Sequence, residues 1–188
     1  NFYVWVYNQS NPDKDNWWNR FKRKIGEKPV VYDPALTLKS AENLKAYMES
    51  HGFFSSRVRY HVDTTSRRKR AIITYRTEQG PPSRYGKINY EFNDKFIEKI
   101  ILQDTASTLI RPGGIFNSAT LDAERERITR YLRDRGYYNF SVNNISYRYP
   151  YDTVGSRVGD LTMVVKQYLT GYNDRGEPVM EYNKVYRI

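Results

Sequence analysis

The sequence has no cysteine and only two histidines, which excludes disulfides and thiolate metal sites and leaves few imidazole ligands. The missing thiols fit a reduced cytoplasm and an oxidising compartment equally well, so they leave the compartment open. No run of about 18 apolar residues occurs, and the chain does not start with a basic, apolar, small-residue signal pattern. It opens on Asn1 rather than Met, from which we expect a fragment of a longer protein. Catalytic constellations are also missing. His51 falls in the last turn of a helical pattern and His61 on the polar side of a strand pattern. Asp122, Glu124 and Glu126 sit among arginines on a helix, where ion pairing accounts for them. The segment "RPGG" (111–114) lacks the phosphate-loop pattern. We expect no enzyme, no cofactor and no metal.

What is present is tyrosine and positive charge. The 188 residues include 18 Tyr against 8 Phe, and the formal net charge is +10. Rings with a hydroxyl suit half-buried sheets. The length allows one large domain or two of about 90 residues each. The basic excess is +7 over residues 1–83, +3 over 84–170 and zero over 171–188.

Sliding the chain along itself gives a match at one offset, 84 residues. Val31, Tyr32 and Asp33 fall on Ile115, Phe116 and Asn117, and Leu44 falls on Ile128. Further on, Tyr47, Met48, Gly52, Phe53, Phe54 and Val58 fall on Tyr131, Leu132, Gly136, Tyr137, Tyr138 and Val142. The second copy is complete. "KINYEF" alternates Ile88, Tyr90 and Phe92 with polar residues, as a half-buried strand does. Asn93 can cap a helix with Phe96, Ile97, Ile100 and Ile101 on one side, running to "RPGG". Thr120 can cap a second helix with Leu121, Ile128, Tyr131 and Leu132 on its buried side, ending at Gly136, with Tyr137 and Tyr138 expected to pin that end to the sheet. A strand follows from Val142 to Tyr149, with a phase slip before Ile145 that suggests a bulge, and then "LTMVVKQYL". The unit is strand, helix, helix, strand, strand. The first copy supplies a helix over about 37–51 and a hairpin, and "NKVYRI" (183–188) reads as the opening strand of a third.

A β-α-α-β-β unit of about 80 residues, repeated head to tail with "YMESHGFFSSRV" and "YLRDRGYYNFSV" at its helix ends, resembles the polypeptide-transport-associated (POTRA) domain. "NWWNRFKRKIGEKPVVYD" is similar to the branch related to the translocation-and-assembly-module protein in its lipoprotein form. The resemblance implies an α+β fold of two tandem units, each a three-stranded mixed sheet with two helices on one face. The expected divisions are 1–83, with 1–28 an elaborated connector or partial unit, 84–170, and 171–188 as linker and opening strand of a third. The offset of 84 instead lays "FYVWVY" over "GKINYEF" and offers it as a strand; the reading favours a first unit truncated at its N-terminus.

The resemblance further implies a periplasmic scaffold at the outer membrane of a Gram-negative bacterium. Its partners would be unfolded outer-membrane protein substrates, accessory assembly proteins and a membrane β-barrel of the same protein lying outside this chain. Binding would use backbone groups at sheet edges, by β-augmentation. The candidate edges are Ser56, Arg57, Val58, Arg59, Tyr60, His61 and Val62, and Val142, Asn143, Asn144, Ile145, Ser146, Tyr147, Arg148 and Tyr149. In "NWWNRFKRKIG", Trp17, Trp18 and Phe21 share one side of a helical pattern and either face a membrane surface or pack on the first sheet. Nucleic acid is not expected. The basic run Arg67 to Arg70 sits between two strand patterns, where it solvates a hairpin tip, and "RPGGIFNS" lacks the G-x-x-G clamp of the basic α+β nucleic-acid modules that form the alternative. A structural spacer near the membrane is a third reading.

Overall fold

A computed structural model describes residues 2–11, 13–28, 31–66, 70–150 and 157–186. These fall into two compact units, one of residues 1–40 with 62–73 and one of residues 41–61 with 74–188. The elements are α1 (Phe2–Asn8), α2 (Trp17–Ile25), α3 (Pro34–Ser50), β1 (Arg57–Ser66), β2 (Arg70–Glu78), β3 (Arg84–Phe92), α4 (Lys95–Gln103), α5 (Ser118–Arg133), β4 (Ile145–Arg148), β5 (Val158–Val165), β6 (Tyr168–Tyr172) and β7 (Pro178–Glu181). The fold is mixed α+β.

Residues 2–8 are helical, so "FYVWVY" is not a counterpart of β3. Its helical bonding runs on through Gln9 N to Trp5 O, and Glu27 N donates to Tyr3 O at 3.1 Å. Gly26 lies so close to Tyr7 that an added Cβ would stand 2.5 Å from its backbone N, so only glycine lets the end of α2 meet α1. The connector between the two helices folds onto Asn19, which accepts from Asn11 N at 3.1 Å and donates to Lys14 O at 3.1 Å. That explains why α2 buries an asparagine. In α3, Asp33 Oδ1 accepts from Ala35 N at 2.8 Å, with Pro34 at the first helical position.

In the other unit, β3, β5 and β4 form a sheet in that order, β3 parallel and β4 antiparallel to the central β5. Strand β5 needs neighbours on both edges and is buried on both faces, with Leu161, Met163 and Val165 towards the helices and Val164 behind them. Helices α4 and α5 cover the first face through Ile97, Ile101, Leu121, Ile128 and Leu132. Burial stabilises each such side chain by about 1.5–3 kcal/mol. A register shift between Tyr85 and Ile88 marks a bulge in β3, where Asp160 Oδ1 accepts from Lys87 N at 2.7 Å; an added Cβ on Gly86 would meet that same oxygen at 2.3 Å.

Several local expectations are corrected. Asp94, not Asn93, caps α4, and Asn117, not Thr120, caps α5, because each places a side-chain oxygen on the amide two residues on, Phe96 N at 3.0 Å and Ala119 N at 2.8 Å. Helix α4 ends at Gln103, short of "RPGG". There Asp104 turns to the guanidinium of Arg127, and a 3-10 turn, Thr105–Ser107, follows. The phase slip at Val142 is another 3-10 turn, Val142–Asn144. Tyr137 is buried but Tyr138 is exposed, so only one ring of the pair is used inside the unit. Residues 168–181 form a hairpin, β6 with β7. The strand expected over 183–188 is not formed in its described part, residues 183–186, because those residues bond to loops instead: Asn183 N and Nδ2 donate to the buried carboxylate of Asp94 at 2.8 and 2.9 Å, and Tyr186 N donates to Gly136 O at 2.9 Å.

That last bond has a counterpart. Gly52 and Gly136, 84 residues apart, both end helices at positive φ, +87° and +92°. Gly52 O accepts from Ser83 N at 2.8 Å, as Gly136 O does from Tyr186 N. Phe54 then packs against Phe116 and Tyr149, ring centroids 5.0 and 6.0 Å away, in a cluster that includes Tyr85. Each helix-ending glycine thus holds, by its carbonyl, a segment that leaves a later hairpin, β1–β2 for Gly52 and β6–β7 for Gly136.

Glu124 is the one fully buried acid of α5. Its carboxylate takes Leu109 N at 2.9 Å and both Arg127 Nε and Nη2 at 2.9 Å, so a single side chain ties the loop after α4 to α5. Glu124→Ala leaves the Leu109 amide without its acceptor and Arg127 with Asp104 as its remaining acid partner, and is expected to cost about 1–3 kcal/mol, read as a lower urea midpoint. Glu124→Gln, which keeps an acceptor for Leu109 N, should fall between that variant and the parent. Gly136→Ala puts a Cβ 3.0 Å from Tyr186 O in left-handed backbone and is expected to cost about 1–2 kcal/mol by the same measurement.

Candidate interaction site at the sheet edges

Strand β4 is an outer strand with four residues, and its pairing fixes which backbone groups are open. Lys166 N donates to Asn144 O at 2.7 Å, and the register continues as Ile145 to Val165, Ser146 to Val164, Tyr147 to Met163 and Arg148 to Thr162. Antiparallel pairing alternates, so Ser146 and Arg148 turn their N–H and C=O groups to β5 while Ile145 and Tyr147 turn theirs away. Ile145 N is taken by Val142 O in the 3-10 turn. The outward groups left are the carbonyl of Ile145 and both the N–H and C=O of Tyr147.

The side chains alternate in the opposite sense. Ile145 and Tyr147 enter the core under the helices, whereas Ser146 and Arg148 lie on the other face, where Arg148 pairs with Glu91 of β3. The Tyr147 hydroxyl is buried with no hydrogen-bond partner among the described residues. Burial pushes that phenol far above its ordinary value, and the nearby Glu124 charge adds to the shift. Tyr147 is therefore neutral at any physiological pH.

The expected edge from Val142 to Tyr149 is thus shortened. Val142, Asn143 and Asn144 form the 3-10 turn instead, because Arg125 holds Val142 O through Nε and Nη2 at 3.0 and 2.8 Å and Asn144 Oδ1 accepts from Ser141 N at 2.9 Å. Tyr149 lies beyond the strand, where its hydroxyl donates to Arg84 O at 3.0 Å and its ring joins Phe116. In the first edge, Ser56 precedes β1 and is buried, with its N bonded to Phe53 O at 3.1 Å. Arg57, Val58, Arg59, Tyr60, His61 and Val62 do lie in β1, which pairs with β2 alone in a two-stranded sheet. The cross-strand contacts there are Arg59 with Glu78 at 3.8 Å and Tyr60 with Tyr75 at 6.3 Å between ring centroids.

Trp17, Trp18 and Phe21 do not pack on a sheet. Their exposures are 65%, 62% and 45%, and their rings contact one another, Trp17 and Trp18 at 4.5 Å and Trp17 and Phe21 at 5.7 Å. The basic run at 67–69 and the loop residues 151–156 lie outside the described residues. No group of three His, Cys, Asp or Glu side chains that could hold a metal occurs among the described residues. The glycine carbonyls and the Asp94 to Asn183 contact were missed by sequence reasoning; the equal spacing of Gly52 and Gly136 was visible, but a backbone acceptor leaves no mark on residue type.

Residues 84–167 match the model of the POTRA family, described as a surface antigen variable number repeat. No curated protein matches the chain. Among solved structures, POTRA domains 3–5 of BamA from Haemophilus influenzae align at 13% identity with a TM-score of 0.48, covering 74% of this chain and 53% of that one. BamA from Haemophilus ducreyi lacking POTRA domains 1–3 aligns at 14% identity with a TM-score of 0.48, covering 86% and 29%. The N-terminal domain of Omp85 from Thermosynechococcus elongatus aligns at 12% identity with a TM-score of 0.33, covering 79% and 58%. The chain therefore spans less than two thirds of the length of each of these structures. With its strands and helices in the order β3, α4, α5, β4, β5 and with the family model matching over the same stretch, the segment 84–167 is a POTRA domain.

Proposed function

We propose that this chain is part of the periplasmic scaffold of an outer-membrane protein assembly or translocation factor. It would bind extended segments of unfolded β-barrel precursors, or accessory assembly proteins, by adding them to a sheet edge. The observation that carries the reading is the open edge of β4, where Tyr147 presents an N–H and a C=O away from β5. Backbone pairing is nearly indifferent to the side chains of the incoming strand, which suits a partner set of many sequences. A four-residue edge offers few such bonds, each worth about 1 kcal/mol net, and so favours capture with ready release towards a membrane barrel. A POTRA domain is a non-enzymatic scaffold, in keeping with a role that needs no chemistry. The two-stranded β1–β2 sheet is a second edge of the same kind, running from Arg57 to Val62.

The test is a titration of the ¹⁵N-labelled chain with a peptide copied from one strand of an outer-membrane barrel. Bound peptide should shift the amides of Ile145 to Arg148 and slow hydrogen exchange at Tyr147 about tenfold or more at saturation. An ester in place of the amide at Tyr147, which leaves the side chain unchanged, should weaken binding about fivefold. Shifts confined to α4 and α5, with exchange at Tyr147 unchanged, would overturn the edge assignment.

A further inference from the structure

Helix α2 is amphipathic in an unusual sense, because its apolar side faces out. At 100° per residue, Trp17, Trp18, Phe21 and Ile25 fall within one arc of about 100°. All four are exposed, at 65%, 62%, 45% and 43%. The opposite side holds Asn19, the buried residue of the helix, and Arg23, which is partly buried and pairs with Asp15 at 3.3 Å. The direction in which α2 faces the protein is therefore set by a hydrogen-bonding asparagine, and its rings are left to solvent. Lys24 borders the apolar arc on one side and Lys22 on the other, and no acid lies within the helix. Phe2 and Trp5 of α1 are likewise exposed and stack on each other at 6.1 Å.

Four apolar side chains in a stripe, edged by lysines on both sides, match the boundary between acyl chains and anionic headgroups. Rings settle at headgroup depth, and flanking ammonium groups rise to the phosphates. A core-packing face would be expected to lie against another element, and a nucleic-acid surface would carry cations rather than apolar rings at its centre. We propose that the outward face of α2, with Lys22 and Lys24 on its borders, is an interfacial anchor that rests on an anionic phospholipid surface. This goes beyond strand capture at β4 and does not depend on it, since the two features share no residue and have separate readouts.

The experiment is favoured by the placing of the chromophores: the three tryptophans of the chain, Trp5, Trp17 and Trp18, all belong to α1 and α2. Vesicles of phosphatidylethanolamine with phosphatidylglycerol should shift the emission of the chain to the blue and bring its tryptophans within reach of brominated acyl chains. Vesicles of phosphatidylcholine alone should do neither, and added salt should reverse the shift. Lys22→Glu with Lys24→Glu should weaken co-sedimentation about fivefold or more per lysine. Trp17→Ser with Trp18→Ser should lower it about tenfold or more with the circular dichroism spectrum unchanged. Three results would each overturn the proposal: no partition at millimolar anionic lipid, equal partition into phosphatidylcholine, or emission of the free chain already blue and shielded from acrylamide. The last would mean that protein, from the same chain or a second copy, covers the face.

Discussion

Everything in the POTRA domain is arranged around one strand with no free edge. Strand β5 gives its backbone to β3 on one side and to β4 on the other, parallel to the first and antiparallel to the second, and buries side chains on both faces. A parallel partner requires a long crossover, and that requirement is met by α4 and α5, which is why two helices intervene between β3 and the hairpin. Both helices then land on the same face, where Ile97, Ile101, Ile128 and Leu132 meet Leu161, Met163 and Val165. The position of β4 follows as well. As the outer strand beside β5, it has no strand beyond it among the described residues, and the Ile145 carbonyl and the Tyr147 N–H and C=O face outward there.

Inside this frame the polar groups act as fasteners between loops rather than as reactive centres. Glu124 holds the loop after α4, Arg125 holds the turn before β4, and Asp160 closes the bulge in β3. Each satisfies a backbone group that an irregular segment would otherwise bury alone. The two helix-ending glycines do the same by their carbonyls, and at Gly52 a bond of 2.8 Å is backed by the ring of Phe54 against Phe116. Tyr138, at the matching position after Gly136, is 48% exposed and has no ring contact among the described residues.

How far the sequence could be read depended on whether residue type or backbone set the answer. Period-2 alternation in "KINYEF" and the spacing of Ile97, Ile101, Leu121, Ile128 and Leu132 placed strand, helices and core, because burial acts on side chains, whereas Phe96, expected on the same side, is 62% exposed. The capping residues were misplaced by one to three positions. Asn93 and Asp94, or Asn117 and Thr120, are all acceptable caps, and the choice between them is made by backbone direction. The edge was found but drawn too long, since nothing in "SVNN" reveals that Arg125, seventeen residues earlier, would reach Val142 O and turn the chain. The outward face of α2 was legible as a pattern, while its direction was not. An amphipathic helix buries its rings by default, and the bonds of Asn19 to Asn11 and Lys14, with those of Arg23 to Lys14 and Asp15, turn this one around.

Asp94 joins two roles that are usually separate. One oxygen caps α4 by accepting from Phe96 N, and the other holds Asn183, 89 residues later, through two bonds of 2.8 and 2.9 Å. The segment that leaves the β6–β7 hairpin is thus moored to the first turn of a core helix and, three residues on, to the end of another at Gly136. A pull on the chain past Tyr186 loads these two moorings before it reaches the hairpin. The hairpin lies between the end of β5 and Asn183, both tied to the domain, and so stands as a side loop off that load path.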